Sequence, residues 1–178
     1  YTSSLNNKLD HGLYFHTNKK TTSADNNNDG FRDSPTGKQL NILNRFQYTN
    51  PEKGLVGFFD FNYVFDERVY GENEYSDGII FAENQNYWGG KTDSEILKTN
   101  FKFGYVDPLI TYRSLGLQFA YTGVDMGSSF GFRNHDTKQT SIYSNLVYNS
   151  IIGDTRSKIK TGISLTYDES VSYTHLRA

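Results

Sequence analysis

The chain has 178 residues, a formal net charge of −2 and no cysteine, so disulfides and thiolate metal sites are excluded. Hydrophobic residues make up only 35 %, mean hydropathy is −0.67, and no run approaches the roughly 18 apolar residues of a transmembrane helix. The slightly acidic balance argues against a general nucleic-acid surface, so no nucleic-acid partner is expected. The 14 Tyr and 13 Phe against one Met suit strands that are apolar on one side only, joined by polar loops.

In chain order, residues 1–9 predict the end of one strand, with a short turn at Leu9-Asp10-His11-Gly12. Residues 13–19 form a second strand, Leu13, Phe15 and Thr17 opposing Tyr14 and His16, before a long polar loop over 20–37. Residues 38–67 carry the clearest pattern. Leu40, Ile42, Phe46 and Tyr48 share one face and Gln39, Asn41, Arg45 and Gln47 the other. After the turn Asn50-Pro51-Glu52-Lys53-Gly54, Leu55, Gly57, Phe59, Phe61, Tyr63 and Phe65 alternate with Val56, Phe58, Asp60, Asn62, Val64 and Asp66. Eleven residues at about 3.4 Å each, tilted by about 40°, rise roughly 26 Å, against about 25 Å for the apolar band of an outer-membrane barrel.

A second long loop is predicted over 69–93. Leu97, Thr99, Phe101, Phe103 and Tyr105 then alternate with Ile96, Lys98, Asn100, Lys102 and Gly104. A short connection at 107–113 leads to Leu115, Leu117, Phe119 and Tyr121, and a third long loop is predicted over 123–137. Strands over 138–150 and 158–167, joined by a short turn at 151–157, complete eight strands with alternating short and long connections. This is the rhythm of an antiparallel up-and-down barrel, with short turns at one rim and long loops at the other.

Two blocks, DNNNDGFRDSPTGKQLNILN at 25–44 and TKQTSIYSNLVYNSIIGDTRSKIKTGISLTYD at 137–168, resemble the barrel of bacterial TonB-dependent outer-membrane receptors, the branch that imports siderophores, cobalamin or similar nutrients. The resemblance implies an all-β fold, here an open segment of about eight strands from a transmembrane barrel of 22. It implies outer-membrane localisation, lipid and a small-molecule nutrient as partners, an N-terminal plug domain in the lumen, and the TonB complex acting through that plug. Residues 1–169 fit that barrel. The segment 170–178 breaks the pattern, and Val171 to Ala178 resemble a translated sequencing-adapter tail. The alternatives from the residues themselves are a soluble β-sandwich, such as a carbohydrate-binding module, and a passive porin-type barrel or outer-membrane enzyme.

Asp25, Asn27, Asp29, Phe31 and Asp33 occupy the first, third, fifth, seventh and ninth positions of a calcium-loop pattern, with Gly30 at the sharp turn. Thr36 stands where a bidentate Glu belongs, and an Asx-rich turn without metal uses the same residues. Calcium is therefore the one candidate cofactor, and none is required. The aromatics Tyr75, Phe81, Tyr87 and Trp88 are candidates for stacking on a ligand ring, or for packing loops and girdling a membrane rim. Arg45, Lys98, Lys102, Arg113, Lys158 and Lys160 are placed on polar faces with Asp60 and Asp66. His11, His16, His135 and His175 have no zinc spacing, and no nucleophile, base and acid recur together, so no catalytic residues and no enzyme activity are expected.

Overall fold

A computed structural model describes residues 1–75, 87–131, 133–154 and 156–176. Among them the chain forms eight antiparallel strands: β1 (Thr2–Asn6), β2 (Leu9–Lys20), β3 (Thr36–Asn50), β4 (Leu55–Gly71), β5 (Gly89–Val106), β6 (Ser114–Phe130), β7 (Arg133–Ile151) and β8 (Lys158–Leu176). Each strand pairs with its neighbours in sequence, giving one open meander in which β1 and β8 are the edges. The only helical element among the described residues is a single 3-10 turn, Pro51–Lys53, so no helix there is long and apolar enough to cross a membrane.

The register turns the alternation into two faces. Phe46 of β3 stands opposite Phe59 of β4, which stands opposite Phe101 of β5 and then Phe119 of β6, so one aromatic row crosses four strands. On the same face His11 stacks on Phe46 at 4.6 Å, its Nε2 2.6 Å from Asn44 Oδ1, and Phe46 lies 6.4 Å from Phe59. Leu40, Ile42, Phe61 and Tyr63 belong to this face, as the alternation predicts. The opposite face is mixed, with charged and amide side chains set among Leu43, Phe58, Val64 and Ile96. Arg45 pairs with Asp60 in register, Asn62 with Lys98, and Asn100 donates from Nδ2 to Asp60 Oδ1 at 2.8 Å. Lys160 and Lys158 of β8 extend that face, whereas Arg113 lies outside the strands, in the 107–113 connection, bound to Asp107 at 3.4 Å.

No hydrophobic side chain among the described residues is buried. A single sheet has no second layer to cover its apolar side. The chain exposes 12182 Å², against about 8,800 Å² for a compact folded chain of this mass. The sandwich alternative required two stacked sheets, and the chain forms one.

Several boundaries differ from the sequence reading. Residues 9–12 continue β2; the first turn is at 7–8, where Asn6 Oδ1 accepts the Lys8 N–H at 2.8 Å. Residues 21–35 separate β2 from β3 and residues 72–88 separate β4 from β5, 76–86 of the latter lying outside the described residues. The third predicted loop is not a loop. Residues 123–130 and 133–140 pair in full register, Gly123 with Thr140 up to Phe130 with Arg133, and Gly131 takes φ +57° where β6 ends. The Gly, Ser, Asp and Asn content that reads as loop instead makes a hairpin in which small and polar residues outnumber Val124, Met126 and Phe130. The tail also stays in the ladder, with Val171 opposite Lys138 and Leu176 opposite Arg133. The strand therefore does not stop at the expected boundary near residue 170.

The strand order puts the connections after β1, β3, β5 and β7 at one end of the sheet and those after β2, β4 and β6 at the other. In the 107–113 connection, the Asp107 carboxylate accepts the Leu109 and Ile110 N–H groups at 2.9 and 3.1 Å. Those bonds, with lesser help from Arg113, hold its pKa below the usual carboxylate value.

Candidate loop site

The first long loop folds around its own acidic residues. Asp25 accepts the N–H groups of Asp29 (3.1 Å) and Gly30 (2.9 Å). Asn27 Oδ1 accepts the Asp29 N–H at 3.3 Å, and Asp29 Oδ1 accepts that of Phe31 at 2.8 Å. Asp33 accepts both the backbone and side-chain N–H of Asn26, at 2.9 and 2.6 Å. Asn28 (φ +58°) and Gly30 (φ +86°) supply the left-handed residues that let the chain wind this tightly. Of the sequence-predicted calcium ligands, Asp25, Asn27, Asp29 and Asp33 accept N–H groups within the loop. Among the described residues no group of three or more acidic or histidine side chains is arranged to hold a metal ion.

This loop is clamped to the base of the second. Arg32 N–H donates to Gly71 O at 3.0 Å, and its Nη2 reaches the carbonyls of Asn73 (3.1 Å) and Tyr75. Asn73 returns its N–H to Gly30 O and its Nδ2 to Asp25, both at 2.9 Å, while Ser23 donates to Asn73 Oδ1. Phe31 and Glu72 form an isolated β-bridge. Glu72 and Trp88 then close the second loop at its neck: Glu72 N–H donates to Trp88 O, and Trp88 N–H to Glu72 Oε1, each at 2.9 Å. The β6–β7 turn joins through Gly131 N–H to Gly89 O at 3.0 Å.

Burial draws the Arg32 guanidinium below its ordinary pKa, partly offset by nearby Tyr75, and leaves its Nε and Nη1 without hydrogen-bond partners. Tyr87 donates to Glu74, which raises its pKa.

On this frame two rings stand outward. Phe31 is 42 % and Trp88 53 % exposed, with centroids 6.3 Å apart and planes tilted by 49°. Of the predicted stacking residues, Trp88 is therefore presented to solvent, Tyr75 lies with its ring against Gly89, and Tyr87 is tied to Glu74. Phe81 falls outside the described residues. Phe31, expected to offer only its carbonyl, contributes its ring. Arg32 and Asn73 have no signature in the sequence: each is a single polar residue in a polar loop, and their pairing spans 41 positions. The arrangement can stack on a flat or sugar-like surface and offers no nucleophile–base pair.

Compared with protein-family models, curated proteins and solved structures, the chain finds no match.

Proposed function

We propose that this chain is wall and loops of an outer-membrane transport barrel of the TonB-dependent type, taking up a scarce small-molecule nutrient at the clamped loops. One observation carries the reading. Among the described residues a long antiparallel sheet has one face apolar over a height of about 26 Å with no layer covering it, an opposite face that carries the charged and amide side chains, and its long connections gathered at one end. In a bilayer the apolar face meets lipid, the opposite face lines a lumen, and further strands satisfy the open edges of β1 and β8. The two sequence blocks at 25–44 and 137–168 support the receptor type, with a plug in the lumen and energy delivered through it by the TonB complex. The role is binding and passage, not bond chemistry. A porin shares the wall but does not need loops clamped to one another as residues 21–35 and 72–75 are.

The test uses the full-length protein carrying this segment, expressed in a Gram-negative host lacking its own receptors for ferric siderophores and cobalamin. Uptake of at least one labelled ligand from that panel should depend on both the protein and the proton-motive force. Uptake that persists after the force is collapsed marks a passive pore and overturns the reading.

A further inference from the structure

The two exposed rings of the clamped loops, Phe31 and Trp88, are joined by a carboxylate. The backbone of Glu72 bridges Phe31, and its Oε1 accepts the Trp88 N–H at 2.9 Å, so a half-buried charge is fixed at their junction. Glu72 forms no ion pair among the described residues. Among those residues a Cβ at Gly131 would meet only Trp88 Nε1, at 3.9 Å, so the end of β6 leaves that edge of the indole open. The surrounding sequence has the same sign. Residues 21–35 and 72–88 carry seven carboxylates and one arginine, a net of −6 in a chain whose total is −2. That arginine, Arg32, points into the clamp, where its Nη2 donates to the carbonyls of Asn73 and Tyr75 and its Nε and Nη1 are buried. Lys91 and Arg133 follow in the strands, Lys91 against Glu67 at 3.3 Å.

We propose that the Phe31–Trp88 pair takes the cationic group of its ligand, an organic ammonium or guanidinium, with Glu72 as the counter-charge. The inference rests on the transport reading above and names the ligand class taken at the clamped loops. Aromatic faces are electronegative, and a cation within about 6 Å of a ring centroid is drawn to them. Rings 6.3 Å apart and tilted by 49° let one such group lie against both. Glu72 Oε1 holds a neutral N–H, and a carboxylate keeps further acceptor sites for a charged donor. An anionic ligand finds the reverse: carboxylates on approach, ring faces on arrival, and the one arginine of these connections already engaged in the clamp.

The experiment uses three small aromatic probes of similar size, benzylammonium, benzyl alcohol and benzoate, with the full-length protein in nanodiscs. Ligand-observed saturation-transfer NMR reads their binding, and Trp88→Ala, a change at an exposed ring, gives the background. Benzylammonium should bind most tightly and benzoate least, and the preference should vanish in Trp88→Ala. Glu72→Gln keeps an acceptor for the Trp88 N–H and removes the charge. It should weaken benzylammonium about tenfold, the loss of one charge-assisted hydrogen bond, and leave benzyl alcohol unchanged. Benzoate binding as well as benzylammonium, no Trp88-dependent binding of any probe, or equal weakening of all three by Glu72→Gln overturns the site. The transport reading fails separately: benzylammonium binding without force-dependent uptake of any ligand leaves the cation site standing and removes the transporter.

Discussion

Replacing Phe61 with Arg in the full-length protein should cost about 2–4 kcal/mol of stability in lipid, whereas Asn62→Arg should cost far less. Phe61 lies on the apolar face, between Asn44 of β3 and Thr99 of β5, and is 38 % exposed with no second layer above it. Near the middle of the band, an arginine there carries its charge into hydrocarbon. Asn62, one residue on, points to the opposite face beside Leu43 and Lys98, where a further cation stays out of hydrocarbon. Side chains alternate with period two, so the difference between neighbours reads the orientation of the whole wall. Denaturant titration in lipid vesicles gives both values; equal costs contradict the assignment of the faces.

Gly54→Val should cost about 3 kcal/mol and should damage folding more than any change at an exposed loop tip. Gly54 closes the β3–β4 turn at φ +64°, a left-handed conformation that a β-branched residue adopts only under strain. The site is also closed sterically: a Cβ would stand 1.7 Å from Val106 O, whose residue donates its N–H back to Gly54 O at 2.8 Å. The turn around it is built to fit, with Asn50 2 % exposed, accepting the Lys53 N–H and donating to the Tyr48 hydroxyl at 3.2 Å. Gly153→Val is the control. Gly153 has a similar φ of +77° but nothing within 4 Å of its Cβ, so it isolates the backbone strain, about 1–2 kcal/mol. Unfolding midpoints that do not separate the two variants contradict the close approach of β5 to this turn.

What the sequence shows and what it hides follow from the same physics. Leu40 to Tyr48 and Leu55 to Phe65 are legible because one face is apolar and the other mixed, and a strand displays that contrast directly. The contrast fades where small and polar residues predominate. Gly127, Ser128, Ser129, Asn134 and His135 are all polar or small, so the β6–β7 hairpin reads as loop although its ladder is continuous. Seven short-range acceptor bonds in the 25–33 loop are in keeping with its Asx-rich composition, but which acceptor takes which N–H is not legible there. The clamp is hidden for a different reason. Arg32 and Asn73 meet only because two hairpins end at the same height, and nothing local in either loop encodes that meeting.

The account stands on one claim, that the Phe59–Phe61–Tyr63 face meets lipid and the Asp60–Asn62 face lines the lumen. The 178 residues hold no cysteine, so with any cysteine elsewhere in the full-length protein replaced by serine, single cysteines at positions 59 to 63 give unique spin labels. In the full-length protein reconstituted in bilayers, collision with oxygen should peak at 59, 61 and 63, and collision with a water-soluble nickel chelate at 60 and 62. Nickel-chelate access that is high at all five positions contradicts it.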